Sequence, residues 1–346
     1  MSTTSLPDLD RRVDAFAALG AYIADRPERL GAYVARSAHH NRWFTEENQW
    51  RMLTAIAEDY LDADKLRAWL SGYGDVAARP APRTVGIVMA GNLPLVGFHD
   101  WLSVLVAGHA AQVKLSDKDP YVLPFLAQRL GEIEPGLADR TRFVERLGGY
   151  DAVIATGSDN TARYFRQYFA HVPHVIRGNR TSVAVLHGDE TAQELAGLSD
   201  DVFAYFGLGC RSVGKVYVPR GYDFDALLAA LHEHRRLANH PKWKNNFDYN
   251  YALHTINKEP FLATGAVLLR EDDALHSRLA TLHYAYYGDL ADLAIDLNAE
   301  RERLQAVVSA REVPGIATVS PGAGQRPGLA DYADGVDTVA FAAGLA

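Results

Sequence analysis

Between residues 84 and 187 the sequence repeats one pattern, a short apolar run followed by a stretch of helical spacing, and this repeat restricts the fold more than any other feature. TVGIVMA (84–90) precedes LPLVGFHDWLSVLVAG (93–108), AQVKL (111–115) precedes PYVLPFLAQRLGEI (120–133), YDAVIAT (150–156) precedes SDNTARYFRQYFA (158–170), and SVAVLH (182–187) closes the series. Strands that are apolar along their whole length, linked by helices, pair in parallel and are covered on both faces. The prediction is therefore an α/β architecture built on a largely parallel sheet.

The flanks extend this scheme. Residues 10–70 are rich in Ala, Leu, Arg and Glu at helical spacing, with the apolar repeat of WRMLTAIAEDYLDADKLRAWL (50–70) broken near Asp62. SGYGDVAARPAPR (71–83), with Gly72, Gly74, Pro80 and Pro82, reads as a linker. After residue 187 the pattern predicts an acidic helix at 189–194, a second helix at 198–206, a strand at 215–219 and a helix at 223–238. Strands at 264–270 and 282–288, a helix at 290–297 and a Gly-rich loop between two strands over 314–341 follow. Two lobes, each with a largely parallel sheet covered by helices, and a helical N-terminal segment account for the whole chain without an internal repeat.

Composition excludes several classes. A single cysteine among 346 residues rules out an intramolecular disulfide, and the start MSTTSLPDLDRRVDAF has no apolar leader, so a cytoplasmic location is expected. No apolar run reaches the roughly 20 residues of a membrane span. A net charge of −8 argues against binding nucleic acid through its phosphates. His39 and His40 are adjacent, and His232 and His234 are two apart, so neither pair shares a helical face, and no metal is expected.

Five stretches are chemical candidates, each with a plainer reading beside it. In MAGNLPLVGFHDW, Asn92 leaves a strand at the sheet edge where open α/β folds bind ligands, although an Asn there also caps helices. Phe98, Trp101, Leu102 and Leu105 of the following helix share one face and read as core rather than an acyl pocket. In VKLSDKD, Lys114 and Ser116 suit ribose hydroxyls and Lys118 a 2′-phosphate, or all three are a solvated strand end. In ATGSDN, Gly157 and Ser158 open a helix whose N-terminus either binds phosphate or is simply capped. No G-x-G-x-x-G follows any strand. Residues 239–253, NHPKWKNNFDYNYAL, read as an aromatic-anchored surface loop or as the lining of an adenine-sized site.

Cys210, in FGLGCRSVGKVYVP, is the fifth. Free cysteines are most often buried and inert, but Gly207 and Gly209 allow tight turns and Arg211 favours a thiolate. Composition leaves both roles open.

MAGNLPL, QVKLSDKDP, VIATGS, FGLGCRSVGKVYVP, KNNFDYNYAL and GQRPGLADYADGVDT, in that order over roughly residues 80–341, resemble the aldehyde dehydrogenase superfamily and most closely its LuxC-type acyl-CoA reductases. The resemblance implies Cys210 as nucleophile and Asn92 as the amide of an oxyanion hole, completed by the N–H of Cys210. It implies Lys114 at the cofactor ribose and Gly157 with Ser158 at the pyrophosphate; Ser116 and Lys118 keep the cofactor reading given them by their own chemistry. The corresponding domains are a helical segment (1–75), a modified Rossmann cofactor domain (76–187), a catalytic domain (188–312) and a C-terminal segment (313–346) that returns toward the cofactor domain or an oligomer interface. The implied activity is reduction of a fatty acyl thioester, carried by coenzyme A or an acyl-carrier protein, to an aldehyde with NADPH; NADH is the alternative. A homodimer is implied as well. Where hydrolytic members carry a water-activating Glu, the stretch VIRGNRTSVAV has Arg177 and no carboxylate, which disfavours hydrolysis. Competing readings keep the acyl-cysteine but pass it to another thiol or to water, or retain only a nucleotide-binding scaffold. Asp331, Asp334 and Asp337 read as turn residues.

Overall fold

The computed structural model describes residues 6–74 and 82–345, so the centre of the expected linker, with Pro80, and the expected domain border at 75 lie outside the described residues. The chain divides into two compact units, Met1–Asn179 with Pro327–Ala346, and Arg180–Arg326.

The first unit is built on strands β1 (Thr84–Val88), β2 (Ala110–Lys114), β3 (Thr141–Phe143), β4 (Ala152–Thr156) and β5 (His174–Arg177), all parallel in the order β3-β2-β1-β4-β5. Its helices are α1 (Leu9–Ala24), α2 (Glu28–His40), α3 (Glu46–Ala55), α4 (Ala63–Leu70), α5 (Phe98–Val106), α6 (Val122–Ile133) and α7 (Asp159–Tyr168). The expected break at Asp62 is real: α3 runs into a π-turn at Ile56–Tyr60, and the Asp62 carboxylate accepts the Lys65 N–H to start α4. Every residue of α5 except His99 is buried, and Trp101 meets Phe16 and Phe98 edge-on at ring separations of 5.5 and 5.3 Å. The expected stripe of α5 is thus core, as a helix apolar nearly all round requires. The helix begins at Phe98 rather than 93, because Leu95 adopts a left-handed φ of 57° and closes a turn ahead of it.

The second unit has α8 (Ala192–Phe203), α9 (Asp225–His232), α10 (Pro241–Ile256) and α11 (Leu290–Ala299) around a seven-stranded sheet. Its strands are β6 (Thr181–Val185), β7 (Val213–Pro219), β8 (Leu262–Ala263), β9 (Leu268–Glu271), β10 (Thr281–Tyr287), β11 (Leu304–Val308) and β12 (Thr318–Val319), ordered β12-β11-β6-β7-β10-β9-β8. All neighbours are parallel except β8 and β9.

Four elements differ from the pattern-based expectation. SVAVLH does not close the first sheet: β6 pairs with β7 and β11, and the edge position belongs to β5, whose His and Arg hide its strand character. The two helices expected at 189–194 and 198–206 are the single helix α8, fixed by a capping box in which Thr191 and Glu194 bond each other's backbone N–H. Residues 239–253 are no loop but most of α10, started by Pro241 and a His240 cap on the Trp243 N–H. The last expected strand is a helix, α12 (Thr338–Ala343), capped by Asp337.

The C-terminal residues of the first unit are fastened to its N-terminal helices. Trp69 Nε1 donates to the Tyr332 hydroxyl at 2.7 Å, and the Tyr73 hydroxyl donates to Asp337 at 2.7 Å. Asp331 accepts the Gly328 N–H at 2.8 Å. These acidic residues therefore close turns and caps.

Candidate active site

The carboxyl edge of the first sheet assembles six of the seven candidate residues. Val88 is in register with Lys114 on one side and Ala155 on the other, so β1, β2 and β4 end at one level. The chain leaves β1 toward β2 and β3, then crosses back to β4 and β5, which makes the β1/β4 boundary a switch point of the kind that binds ligands. The loop after β1 presents exposed Asn92. The strand end and loop after β2 present half-buried Lys114 and Ser116 and exposed Lys118, while half-buried Gly157 and exposed Ser158 precede α7.

Close packing fixes the first two loops against each other. A Cβ on Gly91 would lie 2.2 Å from Ser116 Oγ, so only glycine permits this approach. Asp119, which the sequence does not single out, secures the same pair: its buried carboxylate accepts the Leu95 N–H at 2.7 Å. Burial pushes that carboxyl up to about 6, and the Leu95 hydrogen bond lowers it only in part. At α7 the plain reading is visible in the geometry, since Ser158 Oγ accepts the Thr161 N–H at 3.4 Å. Asp159, the first residue of that helix, accepts the Asn179 N–H at 2.8 Å.

Arg177 has a structural task. Its Nη1 meets both Asp100 oxygens at 2.7 and 2.8 Å, and its Nη2 donates to Thr338 Oγ1 at 2.9 Å, which ties β5, α5 and α12 together. The stretch VIRGNRTSVAV carries no carboxylate of its own, but Asp100 supplies one beside Arg177. It is buried and fully engaged in the ion pair.

Cys210 belongs to the second unit and is exposed, on the turn that joins α8 to β7. After α8 the backbone reverses hand: Tyr205, Phe206 and Gly207 have φ of 52°, 58° and 65°. A left-handed residue other than glycine costs about 1–2 kcal/mol, so neighbours must hold the two aromatics there. Tyr205 and Phe206 are both buried. Phe203 stacks on His234 at 4.6 Å, Phe206 lies 4.5 Å from His240, and both phenyl rings contact Trp243 of α10. Trp243 is itself fixed by donating to the Ala266 carbonyl at 2.8 Å. The turn then closes through the Ser212 N–H to the Gly209 carbonyl at 3.1 Å, and Ser182 Oγ of β6 donates to the Cys210 carbonyl at 2.9 Å. The thiol is thus exposed on a turn held from several sides and does not fill a core.

Among the described residues no group of three or more His, Cys, Asp or Glu is arranged to hold a metal ion, and no helix is long and apolar enough to cross a membrane.

The sequence model of the family described as acyl-CoA reductase (LuxC) matches residues 62–259, more than half of the chain. A long-chain acyl-protein thioester reductase of Aliivibrio fischeri is 25% identical over 220 residues, covering 57% of this chain and 45% of that protein. The chain spans less than half the length of the curated relatives it matches. Among solved structures, aldehyde dehydrogenase 21 from Physcomitrella patens superposes with a TM-score of 0.68 at 13% identity, over 99% of this chain and 85% of that one. The indole-3-acetaldehyde dehydrogenase of P. syringae, in complex with NAD+, gives 0.61 at 13% identity, over 88% and 72%. The fold is therefore that of the aldehyde dehydrogenases.

Proposed function

Because the chain belongs to the LuxC family of acyl-CoA reductases, we propose that it reduces a fatty acyl thioester to the aldehyde through an acyl-Cys210 intermediate, with NADPH as reductant. The observation that carries this reading is the exposed Cys210 on its braced turn. The curated relatives are named for long-chain acyl-protein thioesters, which supports a fatty acyl group delivered on coenzyme A or a carrier protein.

In this mechanism the Cys210 thiolate attacks the thioester carbonyl, and the tetrahedral adduct expels the carrier thiol to leave an acyl-cysteine. The Asn92 amide and the Cys210 backbone N–H donate to the oxyanion, a kind of contact worth about 10²–10³ in rate when one donor is lost. The donor set at the first sheet's carboxyl edge fits a dinucleotide. Lys114 and Ser116 match ribose hydroxyls, Lys118 a 2′-phosphate, and Gly157, Ser158 and the N-terminus of α7 a pyrophosphate. Held by these residues, a reduced nicotinamide would supply hydride to the acyl carbon, and the Cys210 sulfur would leave as thiolate as the aldehyde is released. Asp100 is occupied by Arg177 and does not serve as a base for water, which favours reduction over hydrolysis. Cofactor binding then falls to the first unit and the nucleophile to the second, in a cytoplasmic enzyme that forms a homodimer.

Intact-mass measurement after incubation with long-chain acyl-CoA tests the reading. The expected result is one acyl adduct that is discharged to aldehyde by NADPH and is missing from a folded Cys210→Ala variant. An alanine variant that still consumes NADPH with acyl-CoA overturns it, and an adduct released as free acid without NADPH selects hydrolysis instead.

A further inference from the structure

The Gly-rich segment PGAGQR, residues 321–326, has no part in the chemistry above, yet it docks beside the nucleophile turn within the same unit. Asp201, near the end of α8, is fully buried; its Oδ2 accepts the Gly322 N–H at 2.7 Å and its Oδ1 accepts the Gly324 N–H at 3.0 Å. The approach is close enough that a Cβ on Gly197 would lie 2.6 Å from the Pro321 carbonyl oxygen. Two hydrogen bonds to a buried carboxylate confine a segment that its glycines would otherwise leave free.

What this confinement aims is Gln325. The side chain is buried, and its Nε2 donates to the Asp201 carbonyl at 3.3 Å and to Ser212 Oγ at 3.4 Å. Ser212 Oγ also accepts the N–H of Gly209, the residue before Cys210, at 3.3 Å. A continuous chain of hydrogen bonds thus runs from the Gly-rich segment through Asp201, Gln325 and Ser212 to the backbone next to the thiol. On the far side of the turn, Ser182 holds the Cys210 carbonyl.

We propose that Gln325 is a positioning residue for Cys210, acting through Ser212, with Asp201 as the anchor that orients it. Its value to catalysis rests on the reading of Cys210 as the nucleophile, whereas the restraint on the turn does not. Attack on a thioester depends on the direction of approach, and a misplacement of about 1 Å can cost roughly 10²-fold. Alkylation by a small reagent is far less sensitive to direction.

The test uses the full chain with Gln325→Met, which keeps length and apolar volume but loses the donor, and Ser212→Ala. Acylation of Cys210 by long-chain acyl-CoA should slow about 10- to 100-fold in both, while iodoacetamide alkylation changes less than about threefold. Hydrogen exchange at the Gly209 amide should quicken about fivefold, the loss of one hydrogen bond, and Ser212→Thr should restore both acylation and exchange. Unchanged Gly209 exchange in Gln325→Met overturns the proposal, whatever Ser212→Ala shows. So does acylation that falls only in step with alkylation or with thermal stability. If the unmodified protein is never acylated, the reading of Cys210 fails, and Gly209 exchange still decides whether Gln325 holds the turn.

Discussion

Replacing Asp119 by Asn should make the protein more stable at neutral pH, although the carboxylate makes a hydrogen bond. The carboxyl is buried between the loops after β1 and β2, with Oδ2 on the Leu95 N–H and Oδ1 without a hydrogen-bond partner, and burial pushes it from 3.8 up to about 6. An acid whose folded value lies above its unfolded one stabilises the fold fully below the unfolded value and loses that contribution as pH rises through the folded one. A shift of about two pH units at about 1.4 kcal/mol each amounts to about 3 kcal/mol. Asn accepts the same Leu95 N–H and carries no charge, so Asp119→Asn should gain little near pH 4 and about 3 kcal/mol by pH 8. Urea unfolding followed by tryptophan fluorescence, repeated for both proteins at intervals from pH 4 to 8, measures the difference directly. If the two stability curves run parallel across that range, the burial argument is refuted.

Further outcomes follow from the same geometry. Asn92→Ala should reduce steady-state aldehyde formation by about 10²–10³-fold while the protein unfolds at an unchanged urea concentration. Arg177→Met should cost about 3–5 kcal/mol by stranding the buried Asp100, and adding Asp100→Leu should recover most of that loss in the same unfolding assay. Lys118→Glu should raise the KM for NADPH about tenfold or more, with a smaller effect for NADH, if the exposed ammonium meets a 2′-phosphate; equal changes for both cofactors would remove that assignment.

The alternation of apolar strands and helices was legible in the sequence because parallel strands buried on both faces have no polar side to confuse the pattern. β1, β2 and β4 are such strands, and Asn92, Lys114, Gly157 and Ser158 stand out as candidates because they end or closely follow them. β5 escaped because His174 and Arg177 bound it, and Arg177 becomes compatible with the interior only through Asp100, far away in sequence. α10 escaped because its apolar and polar residues are spread around the helix, with Trp243 buried and Tyr249 and Tyr251 exposed. Asp119 and the Asp201–Gln325–Ser212 chain carry no local signal. Their roles exist only where separate segments are brought to within a hydrogen bond of one another. Cys210 was visible as a candidate, but its exposure depends on a backbone reversal that residue type does not announce at Tyr205 and Phe206.

That reversal has a bearing on how the protein matures. An unfolded or newly made chain seldom samples left-handed backbone at two successive aromatics, given about 1–2 kcal/mol against each. His240 and Trp243, which contact the Phe206 ring, come from the cap and first turn of a helix made later in synthesis. The cysteine therefore emerges as an ordinary thiol and acquires its presented form only when α10 has docked. The turn around the thiol thus takes its native shape late in folding, and a chain arrested before that step carries a thiol that small alkylating reagents reach but that nothing orients.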